Sequence, residues 1–276
     1  MKRLLTTLAL VVPMQVFAGA HALYDFESRS YVLRDNENEV RPIASITKLI
    51  TAVTVISSGV DLDEAVKVNG KSSGHVPKGV MMTRRDLLRA MLISSDNRAA
   101  ETLANHHPGG HLAYIADANY WLDSNRLWKT SVVDSSGLMP GNVSTVKDLI
   151  ELLSLIKDNA VIRSIAGERE AKVKAPAGKK IITVNLHNTN PEIFTYDNIL
   201  ISKTGFTNPA GRCVLMLVEK GRELFGVVVL GQKNVRERSK LVKELLSVER
   251  EPIARPRLKT VIFDFDYISI DETPSK

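Results

Sequence analysis

The stretch ILISKTGFTNPAGRCVLMLVEKGRELFGVVVL, residues 199–230, contains three strand-like runs in succession. Ile199 to Thr204, Cys213 to Glu219 and Glu223 to Leu230 are dominated by apolar and β-branched residues. Gly205 to Gly211 and Lys220-Gly221-Arg222 supply the turns between them. Connections this short make the runs antiparallel neighbours. Residues 22–34 read as two further short strands around Glu27-Ser28-Arg29, and residues 235–247 as a closing helix. The chain between these strand groups is of another kind. Thr83 and Asp86 have capping-box spacing and open a helix through Leu87, Leu88, Met91 and Leu92. Ser94-Ser95-Asp96-Asn97 is a polar break, and a helix over 98–105 stops before His107-Pro108-Gly109-Gly110. Residues 111–123 read as helix and 130–143 as a loop, and Thr145 with Asp148 opens a helix to about Lys157. The order strands, helices, strands, helix predicts an α/β (α+β) fold. Its antiparallel sheet is flanked by helices, and an all-helical subdomain is inserted over about 66–180.

The ends and the composition bound the rest. Lys2 and Arg3, the apolar run Leu4 to Val12 and the small residues Ala18-Gly19-Ala20 have the order of an export signal, expected over 1–20. The run is too short for a permanent anchor, and no later stretch reaches the roughly 18 apolar residues of a membrane span. A soluble, periplasmic chain beginning near His21 is therefore expected, with a catalytic domain over 21–248 and a tail of unknown role over 249–276. A share of 44% hydrophobic and 25% charged residues suits a globular core. Removing two cations with the signal takes the formal charge from +6 to +4, which suits an anionic envelope polymer and does not require nucleic acid. Cys213 is the single cysteine, so no internal disulfide forms, and its apolar neighbours make it a core residue.

Ser45-Ile46-Thr47-Lys48 is an S-x-x-K motif. On a helix the two side chains share a face, so a lysine amine can reach a serine hydroxyl. That hydroxyl needs a neighbouring base, and lysine is one only when burial or a second cation keeps it neutral. The motif alone decides little, because Ser144–Lys147 and Ser154–Lys157 repeat it on an amphipathic helix with solvated lysines. The helix from Ser45 to Ser57 differs: Ile46, Leu49, Ile50, Ala52, Val53, Val55 and Ile56 make it apolar nearly all round, hence buried. Two motifs follow it in order, each occurring once. Ser95-Asp96-Asn97 is an S-x-N that taken singly reads as a helix cap, and Lys203-Thr204-Gly205 taken singly reads as a strand end. Jointly, S-x-x-K, S-x-N and K-T-G form the signature of serine β-lactamases and penicillin-binding proteins.

At these residues the chain resembles the low-molecular-mass penicillin-binding proteins, and within them the D-alanyl-D-alanine endopeptidases. The carrying segments are Arg41 to Leu49, Ser94 to Ala100, His107 to Gly110, Ser136-Gly137-Leu138 with Asn142 to Thr145, and Lys203 to Asn208. The resemblance runs from about residue 25 to 245 and implies a β-lactamase/transpeptidase-like fold. It also implies an enzyme that hydrolyses D-alanyl crosslinks of peptidoglycan through an acyl-enzyme on Ser45, remodelling the wall and cell shape. By motif position, Lys48 takes the Ser45 proton and Ser95 relays one to the leaving amine. Asn97 holds the substrate amide, and Lys203 helps keep Lys48 neutral and with Thr204 binds the flanking carboxylate. Gly205 leaves room for substrate, and the N–H groups of Ser45 and Phe206 form the oxyanion hole. β-Lactam antibiotics are the implied inhibitors, and no cofactor is expected.

Three alternatives remain. A D-alanyl-D-alanine carboxypeptidase would use the same residues; many carry a second β-rich domain and a C-terminal amphipathic helix, which the residues after 247 do not resemble. A class A β-lactamase needs a loop carboxylate for deacylation, but the loop 134–143 offers Asp134 and no Glu, and Glu101 lies on a helix. A non-catalytic penicillin-binding protein has no support in the motif residues. His106, His107 and His111 lack the convergent partners of a metal site and are expected in a solvated loop, with His75 on the surface.

Overall fold

The structure, a computed structural model, describes residues 19–248. Most of the expected export signal and all of the tail from 249 lie outside the described residues. The chain opens with β1 (Ala20–Asp25), β2 (Ser30–Asp35) and β3 (Arg41–Pro42). A 3-10 turn (Ala44–Ile46) then leads into α1 (Thr47–Ser57). The insertion comprises β4 (Ala65–Lys67), β5 (Met81–Thr83), α2 (Arg84–Ile93), α3 (Asn97–Asn105), α4 (Gly110–Ser124), β6 (Val143–Ser144), α5 (Val146–Ile156) and α6 (Ala160–Ala166). The hairpin β7 (Glu170–Ala177) and β8 (Lys180–His187) follows. Strands β9 (Ile199–Thr207), β10 (Gly211–Lys220) and β11 (Glu223–Gln232) and the helix α7 (Val235–Ser247) complete it.

The main sheet has the order β2-β1-β11-β10-β9, antiparallel throughout. The first two strands of the chain thus close onto its last, and β9 is left as an edge. The period-two alternation of strands sorts side chains onto two faces. Ile201, Cys213, Leu215, Leu217, Val228 and Leu230 join the larger core with α1 and α5. Ile199, Val214, Met216, Val218, Val227 and Val229 pack with Val242 and Leu245 of α7. In register with these, Lys203 (opposite Leu215) and Gly205 (opposite Cys213) lie on the α1 face of β9. Thr204 (opposite Val214) and Phe206 (opposite Arg212) lie on the α7 face.

The helix starts follow the sequence. Thr83 Oγ1 accepts from Asp86 N at 3.0 Å and Thr145 Oγ1 accepts from Asp148 N at 3.0 Å; such caps contribute about 1 kcal/mol each. In α1 every residue from Thr47 to Val55 is buried, as its composition implies. Neither later S-x-x-K pair is a buried pair: Lys147 and Ser154 are exposed, and the buried Ser144 hydroxyl meets Thr130 Oγ1 at 2.7 Å instead of a lysine. The insertion differs from expectation in carrying two hairpins beside its helices, β4–β5 and β7–β8. The expected boundary near 180 falls at the turn between β7 and β8. The inward positions of β7 are Ala171, Val173 and Ala175, and alanine gives little strand signal. His107 is also corrected: it is buried rather than solvated, with Nε2 2.7 Å from Asp117 Oδ2 and its ring edge-on to Tyr114. Among the described residues no cluster of three or more potential metal-binding side chains forms, and no helix is long and apolar enough to cross a membrane.

Candidate active site

Ser45 stands in the 3-10 turn that feeds α1, held between β9 and the loop 134–142. Ala44 before it has φ +47°, a conformation that costs energy for a residue with a Cβ and persists only where the surroundings over-determine it. The surroundings here are close. A Cβ on Gly137 would lie 1.9 Å from Ala44 O, and one on Gly205 would lie 2.8 Å from Ile43 O and 3.0 Å from Ser45 N. Gly205 was expected to leave room for substrate. What it admits first is the chain's own nucleophile turn, pressed against β9.

Lys48 projects from α1 into a fully buried position. Its Nζ lies 2.9 Å from Ser45 Oγ, 2.7 Å from Asn97 Oδ1 and 2.6 Å from the carbonyl oxygen of Ser136. Burial pushes its pKa down to about 7, against the opposing pull of Asp134 and Asp96. Burial is thus the main cause, where a neighbouring cation was also expected to contribute. A neutral amine has two N–H donors and one lone pair. Two of its three neighbours are oxygens that only accept, so they take the donors. The lone pair is left facing Ser45 Oγ, the one neighbour with a proton to give.

The Ser136 carbonyl is aimed by Asp134. This carboxylate accepts from Ser136 N and Oγ, Gly137 N, Met139 N and Asn142 Nδ2, at 2.6, 2.8, 2.7, 2.7 and 2.7 Å. Burial opposes its ionisation, but the hydrogen bonds from Met139, Ser136 and Asn142 outweigh that and hold it below the usual carboxylate range. Fully engaged, Asp134 is not free to activate a water. Glu101 is also occupied, accepting from Lys71 N and Ser72 N at 2.7 and 2.8 Å.

Ser95 has φ +56° and Asp96 caps α3 through Ala99 N at 2.8 Å. The S-x-N segment is therefore a helix cap and part of the site at once: the cap fixes α3, whose first residue Asn97 reaches Lys48. Lys203, fully buried, donates to Ser95 Oγ at 2.9 Å and Thr204 O at 3.0 Å. Burial, with Lys48 nearby, pushes its pKa well below that of an ordinary lysine. The structure thus forms two contact groups, Ser45–Lys48–Asn97 and Ser95–Lys203, and Ser45, Ser95 and Asn97 meet at one cleft.

On the α7 face, Thr204 Oγ1 is 2.6 Å from Thr189 Oγ1. Ser45, Ser95, Asn97, Thr204, Gly205 and Phe206 all line a cleft of about 300 Å³. Six further lining residues were not marked as site residues in the sequence: Leu138, Thr189, Pro191, Arg212, Val235 and Arg238. Arg238 is buried against Glu192, Nη2 to Oε2 3.2 Å.

Residues 7–234 match the D-alanyl-D-alanine carboxypeptidase family of S11 peptidases. The chain belongs to this family. It is 34% identical over 225 residues to an S11 relative, the D-alanyl-D-alanine endopeptidase of Escherichia coli, covering 78% of this chain and 72% of that protein. The Streptomyces K15 DD-transpeptidase shares the fold, with TM-score 0.77 at 21% identity over 82% of this chain and 94% of the other. Penicillin-binding protein D2 of Listeria monocytogenes, solved with cefotaxime bound, has TM-score 0.71 at 28% identity over 82% and 94% of the two chains. The fold is thus β-lactamase/transpeptidase-like, and this S11 protein is a serine-type D-Ala-D-Ala peptidase, as its motifs implied.

Proposed function

We propose that this peptidase is a periplasmic endopeptidase that hydrolyses D-alanyl crosslinks of peptidoglycan through an acyl-enzyme on Ser45. The observation that carries the reading is the Lys48 amine, fully buried with its Nζ 2.9 Å from Ser45 Oγ. Lys48 takes the Ser45 proton as Oγ attacks the D-alanyl carbonyl. The oxyanion forms beside the N–H groups of Ser45 and Phe206; Ser45 lies in the first turn of a helix, whose N–H groups have no partner within the helix. Ser95, poised by Lys203, hands a proton to the leaving amine, and Asn97 holds the substrate's amide. Thr204 and Lys203 receive the carboxylate beside the scissile bond. Water then enters where the amine left, and the same groups run the proton transfers in reverse.

The name of the E. coli relative supports an endopeptidase, whereas the family's own description keeps a carboxypeptidase as the second reading. The engaged carboxylates of Asp134 and Glu101 support slow release of a β-lactam rather than its rapid hydrolysis, so such antibiotics inhibit by acylating Ser45. The test is mass spectrometry of products from crosslinked and uncrosslinked muropeptides with the wild-type enzyme and Ser45→Ala. The wild type is expected to split dimers and the variant neither to split them nor to take up penicillin. Dimers left intact while terminal D-alanine is released would select the carboxypeptidase.

A further inference from the structure

The cleft contains two arginines in unlike states. Arg238 is buried and its charge is met by Glu192, whose other oxygen takes the Ser239 hydroxyl. Arg212 has no carboxylate partner among the described residues. Its guanidinium carbon lies 3.7 Å from the centroid of the Phe206 ring, and both residues line the cleft that contains Ser45. Arg212 pairs directly with Phe206 across β9 and β10, on the α7 face that also carries Thr204.

From this arrangement we infer that Arg212, braced on Phe206, is a specificity-determining residue for a second carboxylate on the leaving group, carried beyond an aliphatic spacer. The inference deepens the endopeptidase reading above and rests on it. Three observations support it. An arginine stacked on an aromatic ring has its fork pre-oriented, so it loses little freedom when it grips a carboxylate. A cation held in a cleft without a counter-ion marks where the ligand's own negative charge goes. The spacing also fits. Thr204 receives the carboxylate on the leaving carbon, and Phe206 is two residues along the strand, roughly 7 Å away. The span of a short methylene chain lies between them, beside the exposed ring of Phe206 and the exposed side chain of Val235. A single terminal amino acid ends before reaching Arg212. The residue released from a crosslink through a diamino dicarboxylic acid does not, and its second carboxylate is free where that residue is the last of its stem.

The test uses acylated D-alanyl peptides that differ only in the leaving residue: D-alanine, D-2-aminoheptanoate and D-2-aminopimelate. The last two have chains of equal length and differ in one terminal carboxylate. The wild-type enzyme is expected to favour aminopimelate over aminoheptanoate by about tenfold in kcat/KM, the weight of one charge-assisted contact. In Arg212→Met this ratio is expected near one, with Arg212→Lys between. Raising the salt concentration should shrink the wild-type ratio, a readout that needs no variant. Penicillin labelling of Ser45 reports whether each variant is folded. A wild-type ratio near one, or a ratio that persists in Arg212→Met, overturns the inference and leaves the peptidase reading standing. If the wild type releases none of the three residues, the peptidase reading fails and this inference with it.

Discussion

Replacing Lys48 by methionine separates the energetic cost of the base from its chemical use. The lysine has the ordinary value of 10.5 when exposed and about 7 in its buried site. At about 1.4 kcal/mol per unit, holding it there costs the fold about 4 kcal/mol at neutral pH. Methionine fills a similar volume without that cost. It also leaves the Ser136 carbonyl and Asn97 Oδ1 short of a donor, each worth about 1–3 kcal/mol. The two effects are close in size, so the change in stability at one pH decides nothing and the pH dependence decides everything. Because the folded value lies below the unfolded one, the unfolded chain holds the extra proton between about pH 7 and 10.5. Wild-type stability therefore carries no such penalty above about 10.5, acquires it as pH falls, and has all of it below about 7. The variant has none of this slope. Wild-type stability minus that of Lys48→Met should rise by about 2 kcal/mol between pH 7 and 9, read from urea unfolding at each pH. A difference that stays flat over this range would refute the buried, neutral amine.

The same group sets the acylation rate: between pH 5 and 8, the rate constant for β-lactam acylation should fall about tenfold per unit below pH 7 and level off above it, and a flat stopped-flow profile would remove Lys48 as the base. Gly137→Ala places a Cβ against Ala44 O at a residue with φ +81°, and displacing the Ser136 carbonyl should slow acylation by about 10²-fold, measured by fluorescent penicillin labelling. Burial pushes the Cys213 thiol up to about 11, so a thiol reagent at pH 8 should label it only after unfolding; mass shifts on the native protein would contradict that. Glu192→Ala leaves Arg238 buried without its counter-ion and should cost about 3–5 kcal/mol in urea unfolding.

How much of this could be read in the sequence depended on what kind of atom does the work. The choice of Ser45 over Ser144 and Ser154 was legible because burial is written in composition: α1 is apolar on every face and α5 is not. The link from Ser95 and Asn97 to Lys48 was legible as motif order, though not as contact. The Ser136 carbonyl was not, because a backbone oxygen leaves no residue type behind; only its organiser, Asp134, has a side chain, and the sequence assigned that no role in the site. At Gly205 the need for space was legible, but a missing Cβ does not say that the turn at Ile43–Ser45 comes within 3.0 Å of it as well. Arg212 and Arg238 were silent because each sits in a segment that explains itself, one a strand start and the other a charged helix, although Arg238 shares the buried face of that helix with Val242 and Leu245. Only the β9–β10 register and the packing of α7 bring them to the cleft. Residues 170–177 alternate correctly for a strand, but with alanines inward the signal was too weak to move the boundary past 180.

The site holds a conflict that accounts for its tuning. A base buried alone would be driven far down and would bind its proton too weakly to draw it from Ser45. Asp134 and Asp96 pull the other way, yet neither touches the amine. Each is fixed instead by an architectural task. Asp134 gathers the loop that aims the Ser136 carbonyl. Asp96 caps α3 through Ala99 N and accepts from Val76 N at 3.0 Å. The residues that build the walls around Lys48 thus also set its proton affinity, through charge acting at a distance. A variant that removes either carboxylate to make the lysine more readily neutral would loosen the wall that gives the lone pair its direction. The two properties cannot be varied separately at these positions, which places the practical optimum for the base near neutrality.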